Sequence, residues 1–330
     1  MIRSLVAQPD GVGKDYGVRR NLERAHLEQA IGDDCLLWLD VVDPEGDELA
    51  WLADQFQLNP AVVQDLHRDD RRPALLVYPD YLFLSLFEPH MALNRVRGRE
   101  IHCLVTDRCF ITVRRAEAEA VDAAYRRVAQ NPLAWHAGVA YCFYLTAQHV
   151  TDAYYPLLDR ISMQLNTLEE QLLNGRIDSR ARQPVYGIKQ QLINLRQMVA
   201  PQREVFSNVI GEQRLAETGA TRDLFRHLYE RLLRVYDVID SQRDLSNNAL
   251  DMMQNHEARR LMDAVNRLTI FSMIFLPLAF FTSLFELNFA TTSDPFVLPI
   301  SGAVLFMLVV GAMIVSSGLM FYIFRQRRWL

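Results

Sequence analysis

The sequence predicts an α+β domain followed by a long helical stalk and two C-terminal transmembrane helices. Three observations predict this fold class. Short runs rich in β-branched and aromatic residues alternate with helical patterns in the first part of the chain. Helical spacing of apolar residues then continues with few breaks. Finally, residues 268–324 form 57 consecutive positions without Lys, Arg or His, in which only Glu286 and Asp294 are acidic.

Residues 1–133 are expected to form a small α/β domain. Turn-forming stretches such as "YPDY" and "TDR" separate the apolar runs, as expected for strands joined by short loops. The predicted strands span residues 36–42, 74–78, 81–87, 100–105 and 110–114. The predicted helices span residues 46–56, 60–66 and 116–130.

Two helical regions follow. Residues 134–222 are predicted to form a helical hairpin region, with breaks near 174–178 and 211–221. Residues 223–287 are predicted to form one stalk helix that continues into the first transmembrane helix, because no Pro or Gly occurs from 223 to 266. At 1.5 Å per residue, such a helix would be on the order of 90 Å long and would need support from neighbours.

The stalk carries an apolar seam and, on the opposite face, a line of acids. Both sets recur at helical or heptad spacing. The seam comprises Phe225, Leu228, Leu232, Val235 and Ile239. The acidic line comprises Asp223, Glu230, Asp237, Asp244 and Asp251. The acids fit either a surface that attracts cations or the solvated back of a bundle helix, and their place opposite the seam favours the second interpretation.

Residues 268–285 and 296–324 are each apolar enough to be predicted as membrane spans, the second with small residues that permit close helix packing. Membrane lipids are therefore expected partners. Residues 288–295 form the loop between the spans.

The positive charges predict the orientation of these spans. Arg259, Arg260 and Arg267 precede the first span, and the tail 325–330 begins with "RQRR", whereas the loop has no basic residue. Both termini are therefore expected in the cytoplasm and the loop outside.

Composition and motifs exclude other classes. A net charge of −5 argues against nucleic-acid binding, which normally goes with a clustered basic surface. The sequence lacks GxxxxGK[ST], GxSxG and HExxH, so no enzyme activity and no cofactor are expected. The histidines are scattered without His/Cys pairs at zinc-ligand spacing. Cys35, Cys103, Cys109 and Cys142 lack CxxC spacing and are expected to be buried, reduced thiols.

Several stretches resemble the CorA family of divalent-cation channels. They are "RPALLVYPDYLFLSL", "CFITVRR", "DAYYPLLDRISMQLNTLEEQLL", "NRLTIFSMIFLPLAFFTSLF" and the terminal "RQRRWL", and the resemblance extends over residues 36–330. It implies a funnel-shaped homopentamer in the inner (plasma) membrane, with a pore lined by the first span. The transported ions that it implies are Mg²⁺, Zn²⁺, Co²⁺ or Ni²⁺, and the sequence does not choose among them.

The resemblance also implies a Gly-Met-Asn signature at the pore entrance, which appears here as Glu286-Leu287-Asn288. A ring of Asn288 side chains would offer neutral oxygens to the hydration shell of an entering ion. Glu286 would add a negative ring whose crowded carboxylates resist simultaneous ionisation, which would make entry sensitive to pH. Glu286 fits equally well as an interfacial acid that points away from the axis. Of the acidic segment usual after the signature, only Asp294 is present.

One face of the first span is expected to line the pore. Its members recur at spacings of three and four, which also suit ordinary helix packing, and only the resemblance directs this face toward the axis. The predicted pore-lining residues are Met262, Val265, Leu268, Ser272, Leu276, Ala279 and Ser283. The altered signature leaves a second hypothesis open, in which the chain is a membrane-anchored metal sensor or scaffold that keeps the fold without conducting.

Overall fold

The computed structural model describes residues 1–9, 16–33, 35–68, 72–173, 182–289 and 302–326. For residues 173, 284–289, 302 and 305, it describes the backbone alone. Two compact units divide the chain, Met1–Leu250 and Asp251–Leu330. Their secondary structure confirms the predicted fold class: an α+β part, long helices, and two helices at the end that are candidate membrane spans.

The first unit contains a seven-stranded sheet with the order β2-β1-β3-β7-β6-β5-β4. The central pair, β3 and β7, is parallel, and the other neighbours are antiparallel. The strands are β1 (Ile2–Pro9), β2 (Tyr16–Arg20), β3 (Leu36–Val42), β4 (Ala74–Val77), β5 (Leu82–Ala92), β6 (Arg95–Val105) and β7 (Cys109–Arg114).

The smaller helices alternate with these strands, and the longer ones follow. The first four are α1 (Arg24–Gly32), α2 (Gly46–Gln55), α3 (Pro60–Leu66) and α4 (Glu119–Gln130). A 3₁₀ turn (Pro132–Ala137) precedes α5 (Gly138–Asp152), α6 (Tyr154–Leu173), α7 (Arg182–Val209), α8 (Gly219–Phe289) and α9 (Gly302–Gln326).

The predicted strands and helices of the α/β part all occur, but three further elements, β1, β2 and α1, were not predicted. Local signals explain the starts of α2 and α3. Glu45 and Glu48 form a reciprocal capping box at α2. The Asn59 side chain accepts from the backbone N–H of Ala61 at α3, with Pro60 in the first turn.

Both faces of the sheet are buried. On one face, Leu39, Leu104 and Ile111 belong to a core cluster that also includes side chains of α1, α2 and α3. On the other face, the ring centroid of Trp38 lies 5.0 Å from that of Phe110, and Phe110 lies 6.0 Å from Phe143 of α5. This double covering explains why the strands are apolar nearly throughout.

A buried acid lies within this core. Asp40 is fully buried in β3, and the sheet register puts Arg3 and Thr112 beside it. Its carboxylate accepts from Thr112 Oγ1 at 2.7 Å, from both Nε and Nη2 of Arg114, and from Arg3. Asp122 of α4 binds the same two guanidinium groups at 2.6 and 2.7 Å. Opposite charges and a full set of donors make burial of these groups tolerable.

Within the first unit, α8 packs as its sequence predicted. All five members of the apolar seam are buried, and Phe225 contacts the rings of Phe143 and Tyr144. One turn further on, Gln242 donates to the carbonyl of Leu158 in α6 at 3.1 Å. The four cysteines are free and buried, as expected. Burial raises the pKa of the Cys109 thiol to about 11.

The second unit contains the end of α8 and all of α9. The α8 segment up to Ser283 and Phe306–Gln326 of α9 are long and apolar enough to cross a membrane. Their large apolar side chains are mostly exposed, for example Leu276 at 75% and Ile314 at 67%. Water would penalise such a surface, whereas hydrocarbon would not.

Candidate functional site

The predicted ion entry lies at the end of α8. The helix continues to Phe289, so the backbone of Glu286, Leu287 and Asn288 forms its last turn. Their side chains are outside the description of the structure, as is Asp294, and their roles remain predictions. Because the signature ends a continuous helix, that helix would set its position along the predicted pore.

The predicted pore-lining residues form one face of α8. At 100° per residue, six of the seven residues, from Val265 to Ser283, fall within about 80° of arc, and Met262 extends this to about 120°. Every member of the stripe is exposed, with Leu268 at 73% and Leu276 at 75%. We refer to these seven residues as the pore stripe.

The half-buried face of the same segment lies on the other side. Ile270, Ile274, Leu278 and Phe281 are only partly exposed, and their mean direction is about 170° from the centre of the pore stripe. Phe271 and Phe275, beside the stripe, are also exposed, and their stacked rings have centroids 4.9 Å apart. The described residues therefore leave the pore stripe uncovered, which makes it available to other copies of the chain or to an aqueous path.

Polar groups within this apolar segment are satisfied locally. Thr282 Oγ1 donates to the carbonyl of Leu278 at 3.0 Å, and Thr269 Oγ1 donates to that of Val265 at 2.8 Å. Pro277 lacks the N–H that would reach the carbonyl of Met273, yet the helix continues through it. These two threonine hydroxyls thus add no unsatisfied donor to a segment that would lie in lipid.

At its amino-terminal side, the apolar segment begins with basic residues. Arg260, Asp263, Arg267, Leu268 and Phe271 are among the residues that line an open cavity of about 520 Å³ along α8. Along the sequence, the charged residues of this lining (Arg260, Asp263 and Arg267) precede the large apolar ones (Leu268 and Phe271). On α9, Arg325 lies in the last turn. Such a change from arginine to apolar residues is typical of the cytoplasmic boundary of a membrane span.

The acidic line of α8 is exposed at every position. Neighbouring members are seven residues apart, or about 10.5 Å along the axis, which is too far for one ion to bridge two of them within a chain. Asp223 lies 3.3 Å from Arg226, and Glu230 lies 3.8 Å from the ring nitrogen of His227. These pairings favour the solvated-back interpretation over a cation-binding surface.

The described ranges contain no group of three or more His, Cys, Asp or Glu side chains placed to hold a metal ion. At the predicted entry, symmetry would multiply a single Asn288. An amide oxygen suits outer contact with a hydrated hard cation better than capture of a dehydrated one.

One feature that the sequence did not lead us to predict is a cavity between β5, β6 and α7. Gly98 within a strand and Pro201 within a helix are its sequence signals, since each marks a place where backbone or side chains approach unusually. Neither signal predicts a cavity until the two elements are packed together.

Comparison with known proteins gave consistent matches. The model of one protein family, CorA-like Mg2+ transporter protein, matches residues 33–326. The chain is 23% identical over 285 residues to the cobalt/magnesium transport protein CorA of Thermotoga maritima, covering 83% of this chain and 78% of that protein. It is 27% identical over 262 residues to the zinc transport protein ZntB of Yersinia enterocolitica, covering 77% and 76%.

The fold has a close counterpart among solved structures. The complete structure of the CorA magnesium transporter from Methanocaldococcus jannaschii superposes with a TM-score of 0.80 at 19% identity, covering 99% of this chain and 98% of that one. At this identity, the likeness extends to the fold, including its long helix and the pair of terminal helices.

Proposed function

Because this chain belongs to the CorA-like Mg2+ transporter family, a family of membrane transporters for divalent metal cations, we propose that it conducts such cations through a pore formed by five copies. Each copy would contribute α8 to the wall. In this proposal residues 1–133 and 134–222 form the cytoplasmic part, 223–287 the stalk and first span, 288–295 the external loop, 296–324 the second span, and 325–330 a cytoplasmic tail.

The observation that carries the proposal is the uncovered pore stripe. Its members share one face of α8, and the half-buried residues Ile270, Ile274 and Leu278 lie on the opposite face. A ring of five copies with this orientation would bring Leu268 and Leu276 together as apolar constrictions. Such constrictions gate ion pathways by excluding water.

Asn288 would form the entry ring. Mg²⁺ gives up its water reluctantly, so a first filter that offers amide oxygens to the hydration shell suits it. The neighbouring Glu286 would add a ring of negative charge, which would raise the local concentration of cations. Leu287 would fill the space between them.

The similar proteins do not choose the ion. One is named as a cobalt/magnesium transport protein and another as a zinc transport protein, at 23% and 27% identity respectively. Mg²⁺, Zn²⁺ and Co²⁺ are therefore all candidate substrates. We place the chain in the inner (plasma) membrane with both termini in the cytoplasm, because Arg259, Arg260 and Arg267 precede the first span.

The decisive experiment is cation flux into liposomes that contain the purified protein, with Mg²⁺, Zn²⁺, Co²⁺ and Na⁺ compared. We expect divalent flux that collapses in Asn288→Ala while the oligomer, measured by light scattering, stays intact. Glu286→Gln should lower flux and flatten its pH profile. A correctly assembled oligomer without divalent flux would favour the sensor or scaffold hypothesis instead.

A second experiment tests which face lines the pathway. Leu276→Cys lies on the pore stripe, and Ile274→Cys lies on the opposite face. A water-soluble thiol reagent should block flux through the first variant and leave the second unaffected. The four native cysteines are buried, so they supply little background reaction. Equal block of both variants would contradict the assigned face.

A further inference from the structure

A cavity of about 510 Å³ lies in the first unit. It opens between the β5–β6 hairpin, the segment before β4 and helix α7. Its volume is within the range of small-molecule sites, which is roughly 300–1,000 Å³. The residues that line it include Arg72, Phe87, Gly98, Asn194, Gln197 and Met198.

The cavity exists because the edge strand β4 is short. β4 pairs with β5 only from Ala74 to Val77, and Pro73 before it has no N–H with which to extend the ladder. β5 continues to Ala92, so its edge beyond Ser85 lacks a neighbouring strand among the described residues. Helix α7 covers this edge at a greater distance than a strand would, and a gap remains.

Side chains satisfy the exposed edge of β5 and fix one wall of the gap. The backbone N–H of Phe87 donates to Gln202 Oε1 at 2.9 Å. Gln202 is 1% exposed, and its Nε2 donates to the Tyr154 hydroxyl at 2.5 Å. That hydroxyl in turn donates to the Phe87 carbonyl at 3.5 Å. Phe87 is therefore held at the cavity independently of any ligand.

The floor of the cavity is apolar and preformed. A Cβ at Gly98 would lie 2.6 Å from Phe87 Cδ1 and 2.7 Å from Met198 Sδ. Glycine at this position leaves room for both side chains over β6. Phe87 and Met198 therefore both lie over Gly98, and a ring and a thioether suit contact with a flat apolar group.

The rim is polar, and Arg72 is the cation among the described residues that line it. Arg72 is exposed and lines the cavity. Asn194 is held by donation to the Val96 carbonyl at 3.1 Å and by acceptance from Gln190 at 3.0 Å. Pro201 removes the N–H that would bind the carbonyl of Gln197, a residue that also lines the cavity. The rim thus offers a guanidinium group and amide groups above an apolar floor.

We propose that this cavity binds a small organic anion: an oxyanion, carboxylate or phosphate, on an apolar body about the size of one aromatic ring. The oxyanion pairs with the planar guanidinium group of Arg72, whose donors match such oxygens in pairs. The body lies on Phe87 and Met198. Binding there would join the segment before β4 to α7, so it gives the cytoplasmic part a ligand other than the transported metal.

The test is fluorine NMR on the full-length protein in detergent, with 4-(trifluoromethyl)benzoate as the probe. The neutral 4-(trifluoromethyl)benzamide controls for partition into detergent, and 4-fluorophenyl phosphate tests the second type of oxyanion. We expect saturable binding of at least one anion and weaker binding of the amide. Arg72→Gln should lower the affinity for the anion about tenfold. Arg68→Gln, at an exposed arginine outside the cavity, should change this affinity less than about twofold.

A second variant tests the cavity itself. Ala200→Phe fills part of the space from α7 and retains Arg72, so it should abolish saturable binding while circular dichroism and the oligomeric state stay unchanged. Should this variant fail to fold, Met198→Ala, which removes the thioether floor, replaces it and should weaken the probe. The inference stands if the arginine variant and the cavity variant both reduce binding. Any other pattern, or no saturation up to about 10 mM of either anion, overturns it.

Discussion

The two units of the chain distribute apolar and charged side chains in opposite ways. In Met1–Leu250, apolar side chains such as Trp38 and Phe110 are fully buried, and the ion pairs of Asp40 lie inside the core. In Asp251–Leu330, leucine and phenylalanine side chains are exposed along both helices. The hydroxyls of Thr269 and Thr282 there donate to carbonyls of their own helix.

The difference shows that the same physical rule applies in two solvents. Apolar surface leaves water in both cases, into a protein interior in the first unit and into hydrocarbon in the second. The Asp40 carboxylate is tolerated inside the first unit because Thr112, Arg114 and Arg3 all donate to it. Substitutions that exchange the two patterns should therefore have effects that depend on the unit in which they are made.

The largest expected effect is that of Asp40→Ala. This change leaves the guanidinium groups of Arg3 and Arg114 to share Asp122 alone, and breaking such a buried pair costs about 3–5 kcal/mol. The melting temperature of the purified protein should fall by about 10 °C. Asp244→Ala, which removes an exposed acid of α8, should shift it by less than about 2 °C. Equal shifts in the two variants would refute a structural role for the Asp40 cluster.

The next largest effect is expected when a charge is introduced into the second unit. Ile314→Asp introduces a carboxylate at the middle of α9, where membrane insertion of aspartate is disfavoured by about 2.5–3.5 kcal/mol. We expect a much smaller alkali-resistant fraction of the protein in isolated membranes. Leu93→Asp, at a leucine 95% exposed in the first unit, should leave that fraction unchanged. Normal retention of Ile314→Asp would mean that α9 is not embedded at this depth.

A smaller effect concerns Glu88, which is 3% exposed. Burial raises its pKa above the ordinary value of 4.5, despite donation from the backbone of Ala120 and the nearby Arg99. Because the folded state binds the proton more tightly, this group favours folding below about pH 4.5 and the advantage is lost as pH rises through the higher folded value. As pH rises from about 4.5 to about 7.5, the melting temperature of Glu88→Gln should therefore fall less than that of the parent protein.

Other carboxylates also titrate over this interval, so the informative quantity is the difference between variant and parent. Glu230→Gln at an exposed site of α8 is the matched control and should follow the parent curve. If Glu88→Gln follows it as well, burial does not perturb Glu88.

The smallest effect is expected in the turn between β5 and β6. Leu93 and Asn94 have φ of 48° and 61°, values that a two-residue hairpin turn requires and that leucine adopts poorly. Leu93→Asn should raise the melting temperature by about 2–4 °C, corresponding to about 1 kcal/mol. Leu133→Asn, at another exposed leucine outside such a turn, should give no gain. A gain of equal size at Leu133 would attribute the effect to surface polarity rather than to the backbone.

Strong local patterns were sufficient to predict much of the fold. β3 has the predicted limits because "LLWLDVV" is a continuous apolar run, and the seam of α8 is buried because its spacing is regular. α1 gave no such signal, since only Leu27 and Ala30 of its nine residues are buried. β5 and β6 extend past their predicted ends because pairing across the turn at Leu93 overrides the weak preferences of their polar ends.

Long-range contacts limit how much of the sites could be predicted from the sequence. The partners of Asp40 lie 37, 72 and 74 residues away in sequence, so its burial in an apolar strand could not be anticipated. The cavity above Gly98 likewise requires α7 to pack on β6. The pore stripe was predicted as a face of a helix, and its residues are exposed. Its direction toward an axis depends on other copies of the chain.

The two edges of the sheet bear on how the protein avoids aggregation. β2 exposes Arg19 at one edge, and β4 at the other has four residues preceded by a proline. Charge, brevity and proline each discourage a foreign strand from adding to a sheet. Many copies held side by side on one membrane would otherwise present long open edges at high local concentration. These edges therefore keep crowded copies from polymerising through their sheets and leave helical surfaces as the places where they can meet.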